Sequence, residues 1–336
     1  KRQVGNPFLQ EFPNPYAIDI TEIDGFDNLH APEEILLRLQ EEAARLYGAE
    51  ESFYLVNGST CGVLAAISAA VPKGGRLLMT RGGHKSAYHA AYLRNLTISY
   101  LYPEMMQEYD IYDAITPEQI AEALAKEPVP DAVFLVSPTY EGRIADIEKI
   151  AQIVHSKGIP LIVDEAHGAH LGLAEGLAKN SCQCGADLII HSVHKTLPAL
   201  TQSALLHVNG NRIDRDRLRR FLHIYQSSSP SYVLMAGIDN ALQVVEEQGD
   251  YLFTKFQINY LRMLTELSEC RNLSFLIFSI STPFAASAVP LVATSSKPKL
   301  AAFSAIGRIF FLSCSFTLMK ILPSFGKSIP AASWDL

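Results

Sequence analysis

Two stretches decide the fold: Pro160-Leu-Ile-Val-Asp164-Glu-Ala-His167-Gly-Ala-His170 and, further on, Ala186-Asp-Leu-Ile-Ile-His-Ser192-Val-His-Lys195. In each, a short run of aliphatic residues ends abruptly in polar chemistry. A run that is apolar at every position, rather than alternating, reads as a strand covered on both faces, the mark of a parallel sheet. The pattern repeats outward from this pair. Strands are expected at 53–56, 76–79, 97–102, 132–136 and 204–208, and amphipathic helices at 33–47, 84–93, 117–125 and 147–156. A small-residue helix runs to Ala70. Strands alternating with helices imply crossover connections and an α/β fold of three layers with a mostly parallel central sheet. Ligands in such sheets bind at the carboxyl ends of the strands. Four polar clusters fall there: Gly58-Ser59-Thr60, His84, Asp164 to His167, and Ser192 to Lys195.

Composition narrows the partners. The chain has 336 residues, 48% hydrophobic and 19% charged, with a net charge of −7 and no run of Lys or Arg. That argues against nucleic acid or an anionic membrane and for a small-molecule substrate. Five scattered cysteines lack the spacing of a disulfide framework, so a reducing, cytoplasmic compartment is expected. Cys182-Gln-Cys184 is too short for a metal knuckle or a redox motif. His167 and His170, with His191 and His194, form two HxxH pairs, yet i and i+3 on a strand point to opposite faces, and no metal is expected.

Each polar cluster suits one task. Lys195 places an amine just past a strand, where an aldehyde cofactor needs a lysine desolvated enough to lose its proton; an ordinary surface lysine is the other reading. Asp164 puts a carboxylate at a buried strand end, where it needs a hydrogen-bonding or cationic partner such as a protonated pyridine nitrogen. Asn57-Gly-Ser-Thr-Cys-Gly62, between strand and helix, offers free N–H groups and two hydroxyls as a phosphate cradle, although a capped tight turn reads the same way. It is neither a Walker nor a dinucleotide fingerprint. His84 opens a helix after a strand and can stack on a flat ring or cap the helix.

Taken in order with Ser-Pro-Thr-Tyr-Glu-Gly142 and Leu200-Thr-Gln-Ser203, these motifs make the chain resemble the Orn/Lys/Arg decarboxylase family, pyridoxal-phosphate enzymes of the aminotransferase-like fold type I, in its short bacterial form. The likeness runs from about residue 15 to about 245. It implies Lys195 as the lysine bound covalently to pyridoxal 5'-phosphate, and Asp164 as the partner of the ring nitrogen. It further implies Gly58, Ser59, Thr60, Ser192 and His194 around the phosphate, His84 stacked on the ring, and Ala166 and His167 on its opposite face or edge. The implied reaction turns a basic amino acid (arginine, lysine or ornithine) into agmatine or a diamine plus carbon dioxide, in a homodimer or higher homo-oligomer of polyamine metabolism. An aminotransferase or Cα–Cβ lyase on the same fold, and a catalytically silent family member, are the rival readings.

The ends depart from the family pattern. Its Pro-Gly-His-Lys element is represented by Lys1-Arg2 at most, and Lys1-Arg2-Gln3 reads as a chain beginning inside a longer gene product, without a signal peptide. Residues 272–296 carry no charge, and prolines at 283, 290, 298, 323 and 330 break any long helix. Pro283 and Pro290, with many Ser and Thr, make this a poor membrane span, and an out-of-frame or divergent tail is expected instead. The expected organisation is an arm at 1–32, a cofactor-binding major domain at 33–240, and a linker helix with an atypical or truncated C-terminal segment at 241–336.

Overall fold

The apolar runs assemble into one seven-stranded sheet. It contains β1 (Glu51–Leu55), β2 (Arg76–Thr80), β3 (Thr97–Leu101), β6 (Ala132–Val136), β7 (Leu161–Asp164), β8 (Leu188–His191) and β9 (Ala204–Val208), in the order β1-β9-β8-β7-β6-β2-β3. Between β3 and β6, β4 (Met105–Met106) and β5 (Ile111–Tyr112) pair as a small antiparallel ladder. The computed structural model describes residues 14–21, 26–107, 109–126, 128–268, 273–276 and 291–294. Lys1-Arg2 and most of the tail beyond Ser268 lie outside the described residues. Two compact units divide them. The larger ends at Phe253; the smaller begins at Thr254 and holds the antiparallel pair β10 (Leu273–Leu276) and β11 (Leu291–Thr294).

Eight of the helices belong to the larger unit: α1 (Pro15–Ile18), α2 (Ile35–Tyr47), α3 (Gly58–Ala70), α4 (Lys85–Arg94), α5 (Pro117–Leu124), α6 (Ile147–Ser156), α7 (Val193–Thr196) and α8 (Arg215–Tyr225). A long α9 (Tyr232–Ser268) follows. Local chemistry sets their ends. Thr116 and Gln119 form a reciprocal capping box with Pro117 in the first turn of α5, and Gly48 closes α2 at φ 70°. α8 was not legible in the sequence, because charged residues dominate it and only Leu218 and Leu222 are buried.

Strand side chains alternate between two cores. Val133, Val163, Ile189 and Leu205 pack with Tyr47 of α2, Ile120 of α5 and Ile150 of α6. Phe134, Ile162, Ile190 and Leu206 pack on the other face with Val63 and Ile67 of α3, Ala87 of α4 and Leu218 of α8. The sheet is thus the middle of three layers. Strand β9 is the exception to parallel pairing, running antiparallel to both β8 and β1. Its reversal needs no crossover, so residues 192–203, which include Lys195, stay at the carboxyl end of β8.

Candidate active site

Chain order and sheet order part company at β1: α3 carries the chain from that edge strand across the sheet to β2 on the far side. The first turn of α3 therefore faces the loop that follows β8. Gly62 permits the close approach, since a Cβ there would lie 2.7 Å from Leu55 Cδ1 and 3.1 Å from Ile190 Cγ2. At the head of α3, Asn57 does not cap the helix with its side chain. Its Oδ1 instead accepts from the Ser227 N–H at 3.0 Å. Gly58 adopts φ +74°, a conformation that favours glycine, and its N–H donates to the Gln202 carbonyl at 2.9 Å.

Ser192 donates its hydroxyl to Ser59 Oγ at 2.8 Å, joining the lysine loop to this helix start. Thr60 lies exposed on the same turn and makes no side-chain hydrogen bond among the described residues. His194 is directed elsewhere, its Nδ1 donating to the Ser203 carbonyl at 2.9 Å. The structure therefore brings Gly58, Ser59 and Ser192 together, while Thr60 and His194 flank them.

A second group surrounds Lys195. Its Nζ lies 3.1 Å from His167 Nε2. Burial, then the charges of Lys195 and His84, push His167 down to about 4, so that ring is a neutral acceptor. Tyr140 meets His167 edge to face, with ring centroids 5.7 Å apart. His84 caps α4, its Nδ1 accepting from the Ser86 N–H at 3.3 Å, and burial followed by the Lys195 charge lowers its pKa. The expectation of a desolvated lysine is not met on the single chain: Lys195 is exposed, because the short α7 carries it beyond the sheet end.

Asp164 closes β7 and is 5% exposed. Among the described residues the hydrogen bond to its carboxylate is the one from the Ala166 N–H to Oδ1, 3.2 Å. Burial raises its carboxyl to about 6, partly offset by the Lys195 charge. A buried acid with so little local support is suited to a cationic ligand.

Some residues of this region had no role in the sequence reading. Thr196 Oγ1 and Ser203 Oγ are buried in the lysine loop without a hydrogen-bond partner among the described residues. Beneath the site, on the opposite face of the sheet, Glu165, His191 and His207 form a buried hydrogen-bonded chain. In the sequence Glu165 stood in the polar cluster Asp164 to His167 and His191 in an HxxH pair, while His207 showed as a histidine set inside an apolar strand, Ala204-Leu-Leu-His-Val208. His191 and His194 do diverge, the first to Glu165 and the second to Ser203. No group of three or more His, Cys, Asp or Glu with metal-holding geometry occurs among the described residues, and no helix there is long and apolar enough to cross a membrane.

Comparison with known proteins places this geometry. The family model for the Orn/Lys/Arg decarboxylase major domain matches residues 1–277. An uncharacterized Bacillus subtilis protein, YaaO, is 42% identical over 237 residues, covering 69% of this chain and 49% of its own length. An arginine decarboxylase of the same organism is 33% identical over 249 residues, 74% of this chain and 51% of the relative. The chain thus spans about half the length of these curated relatives. Among solved structures, the Francisella novicida lysine decarboxylase LdcF aligns with a TM-score of 0.63 at 22% identity, covering 74% of this chain and 37% of that one. The ureidoglycine-glyoxylate aminotransferase of Bacillus subtilis aligns with a TM-score of 0.60 at 14% identity, covering 77% and 68%. At these identities the structural likeness speaks for the aminotransferase-like fold alone. Together, the family-model match across residues 1–277 and the 42% and 33% identities to relatives place this chain in the Orn/Lys/Arg decarboxylase family.

Proposed function

We propose that this chain is the pyridoxal-phosphate-binding part of an enzyme that decarboxylates a basic amino acid: arginine, lysine or ornithine. The observation that carries the reading is Asp164, a buried carboxylate at the end of β7 whose charge is opposed by Lys195 from the neighbouring loop. A protonated pyridine nitrogen is the partner such an acid lacks. The donor set fits the rest of the cofactor: an α3 start with no side-chain cap, glycine at its first position, and the Ser59 and Ser192 hydroxyls suit a phosphate. On this reading Lys195 holds the cofactor covalently, Asp164 holds its ring nitrogen, and His84 and His167 bound the ring, with Thr60 and His194 at the margin of the phosphate.

When bound, pyridoxal phosphate supplies an electron sink for the pair released as the Cα–carboxylate bond breaks. The protein's share is orientation and proton handling. Asp164, kept anionic at neutral pH, favours the cationic form of a ring nitrogen placed against it. His167, neutral and 3.1 Å from Lys195 Nζ, can accept a hydrogen bond from that amine and so orient it. Because Lys195 is exposed on the isolated chain, we take a homodimer or higher homo-oligomer as the assembly that shields it.

The test is an absorbance spectrum of the protein with pyridoxal phosphate, before and after borohydride, beside Lys195→Ala, followed by carbon dioxide release from the three amino acids. An adduct trapped on Lys195 and release from at least one amino acid supports the reading. A folded wild-type protein with no adduct rules out the cofactor assignment, and an adduct without carbon dioxide release points to the aminotransferase or silent alternative.

A further inference from the structure

Directly beneath Asp164 and Ser192 runs a polar chain that the proposed chemistry does not use. Glu165 follows Asp164 but points to the opposite face, where Ser181 donates its hydroxyl to Oε1 at 2.7 Å and its N–H lies 3.2 and 3.1 Å from the two oxygens. Oε2 lies 2.7 Å from His191 Nε2. His191 Nδ1 lies 3.0 Å from His207 Nε2, and His207 Nδ1 lies 2.6 Å from Ser52 Oγ. The chain thus crosses from the end of β7 through β8 and β9 to the edge strand β1. Tyr47 packs its ring 4.7 Å from both imidazoles and donates its hydroxyl to the Ala169 carbonyl at 2.7 Å. Glu165, His191, His207 and Ser52 are all buried, so every proton in the chain must be accounted for.

Two protonation patterns satisfy the geometry. In one, Glu165 is a carboxylate and His191 donates to it; in the other, Glu165 is a neutral acid and donates to His191. The surroundings favour the second. The titratable groups facing Glu165 are Tyr47 from α2, Cys182 and Cys184 from the loop after Ser181, and His191 from β8, with His170 beside His191. None brings a positive charge: burial pushes His191 down to about 3 and His170 to about 4. No lysine or arginine among the described residues supports the Glu165 charge, and burial outweighs the Ser181 hydrogen bonds, raising its carboxyl to about 8. Asp164, one residue away, has the Lys195 charge on its side. Asp164 is held toward its anion by that charge while Glu165 faces no cation, so of the two it is Glu165 that keeps its proton.

We propose that Glu165 is a neutral hydrogen-bond donor heading a one-way chain, Glu165 to His191 to His207 to Ser52, and that it acts as a positioning residue for Asp164. By keeping its own proton it leaves Asp164 to carry the negative charge at this strand end. Both imidazoles then carry their proton on Nδ1. The role toward Asp164 rests on the cofactor reading above; the direction of the chain does not.

Glu165→Gln separates the alternatives, because the amide reproduces a protonated carboxyl: its oxygen accepts from Ser181 and its N–H donates to His191 Nε2. Urea unfolding of the full chain without cofactor, from about pH 5 to 8, reads the first part. A group whose folded pKa is raised contributes stability that is lost as pH rises through the folded value. The wild type should therefore lose ground against Glu165→Gln by up to about tenfold in folding equilibrium constant per pH unit. A carboxylate Glu165 beside a neutral His191 would give parallel curves for the two proteins and overturn the proposal. An imidazolium–carboxylate pair binds the same number of protons as the proposed one, and a deuteron on His191 Nε2 in neutron diffraction of the wild-type protein would reveal it and defeat the direction. Pyridoxal phosphate titration across pH reads the second part. Glu165→Gln should keep the wild-type acid limb and an affinity within about threefold, whereas Glu165→Ala should weaken binding by about tenfold or more. A shifted acid limb in the Gln variant, or an unaffected Ala variant, removes the positioning role. If the variants do not fold, neutron diffraction on the wild-type protein decides: a deuteron on His191 Nδ1 upholds the direction, and one on Nε2 defeats it. A wild-type protein that binds no pyridoxal phosphate sinks the cofactor reading and leaves the unfolding experiment standing.

Discussion

Nζ of Lys195 lies 3.1 Å from Nε2 of His167, a ring whose pKa burial and the lysine's own charge push down to about 4. The unfolded chain takes up the corresponding proton near the ordinary histidine value. The stability this neutral ring contributes is present above about pH 6.5, is lost as pH falls toward 4, and is gone below it. His167→Asn should therefore show a shallower acid loss, by up to about tenfold in equilibrium constant per pH unit. Urea unfolding at pH 4.5 to 7 checks this; parallel curves for the two proteins would count against it.

Asp164 works in the other direction. Its carboxyl is raised to about 6, so its contribution is full below the unfolded value and is lost as pH rises through 6. At pH 7.5 Asp164→Asn, which keeps the acceptor for the Ala166 N–H, should be more stable than the wild type without cofactor by about 1–3 kcal/mol. The same variant should bind pyridoxal phosphate about a hundredfold more weakly, since a buried charge-assisted partner is gone. Thermal melts and a cofactor titration give both numbers; a variant that is less stable and binds normally would contradict the assignment.

Ser59 and Ser192 share one hydrogen bond, 2.8 Å long, at the start of α3. Replacing either by Ala should weaken pyridoxal phosphate by about threefold to tenfold and leave pyridoxal, which lacks the phosphate, unchanged. The double variant should lose less than the sum, because each hydroxyl orients the other. Equal losses for both ligands would place the hydroxyls away from the phosphate.

Gly62 is a packing requirement rather than a flexible point. A methyl group there would sit 2.7 Å from Leu55 Cδ1, and α3 must yield or the side chain must turn. Gly62→Ala should cost about 1–3 kcal/mol, read as a lowered melting temperature. An unchanged melting temperature would mean that α3 lifts off the sheet without penalty.

The sequence by itself determined the strands and most helices of the larger unit. β6, β8, β9 and α6 fall where their apolar runs place them, because burial on both faces or on one helical stripe is written locally, residue by residue. It also determined which residues stand at strand ends, and so singled out Asp164, Ser192 and Lys195. Only the tertiary structure decided that β9 runs antiparallel between β8 and β1, that His194 turns to the Ser203 carbonyl, and that Lys195 stays exposed on one chain. It alone joined Glu165, His191, His207 and Ser52, residues from four strands or their ends, into one buried chain. Strand partners and the side chains that meet beneath a sheet are fixed by contacts between residues distant in sequence, and a local pattern carries no record of them.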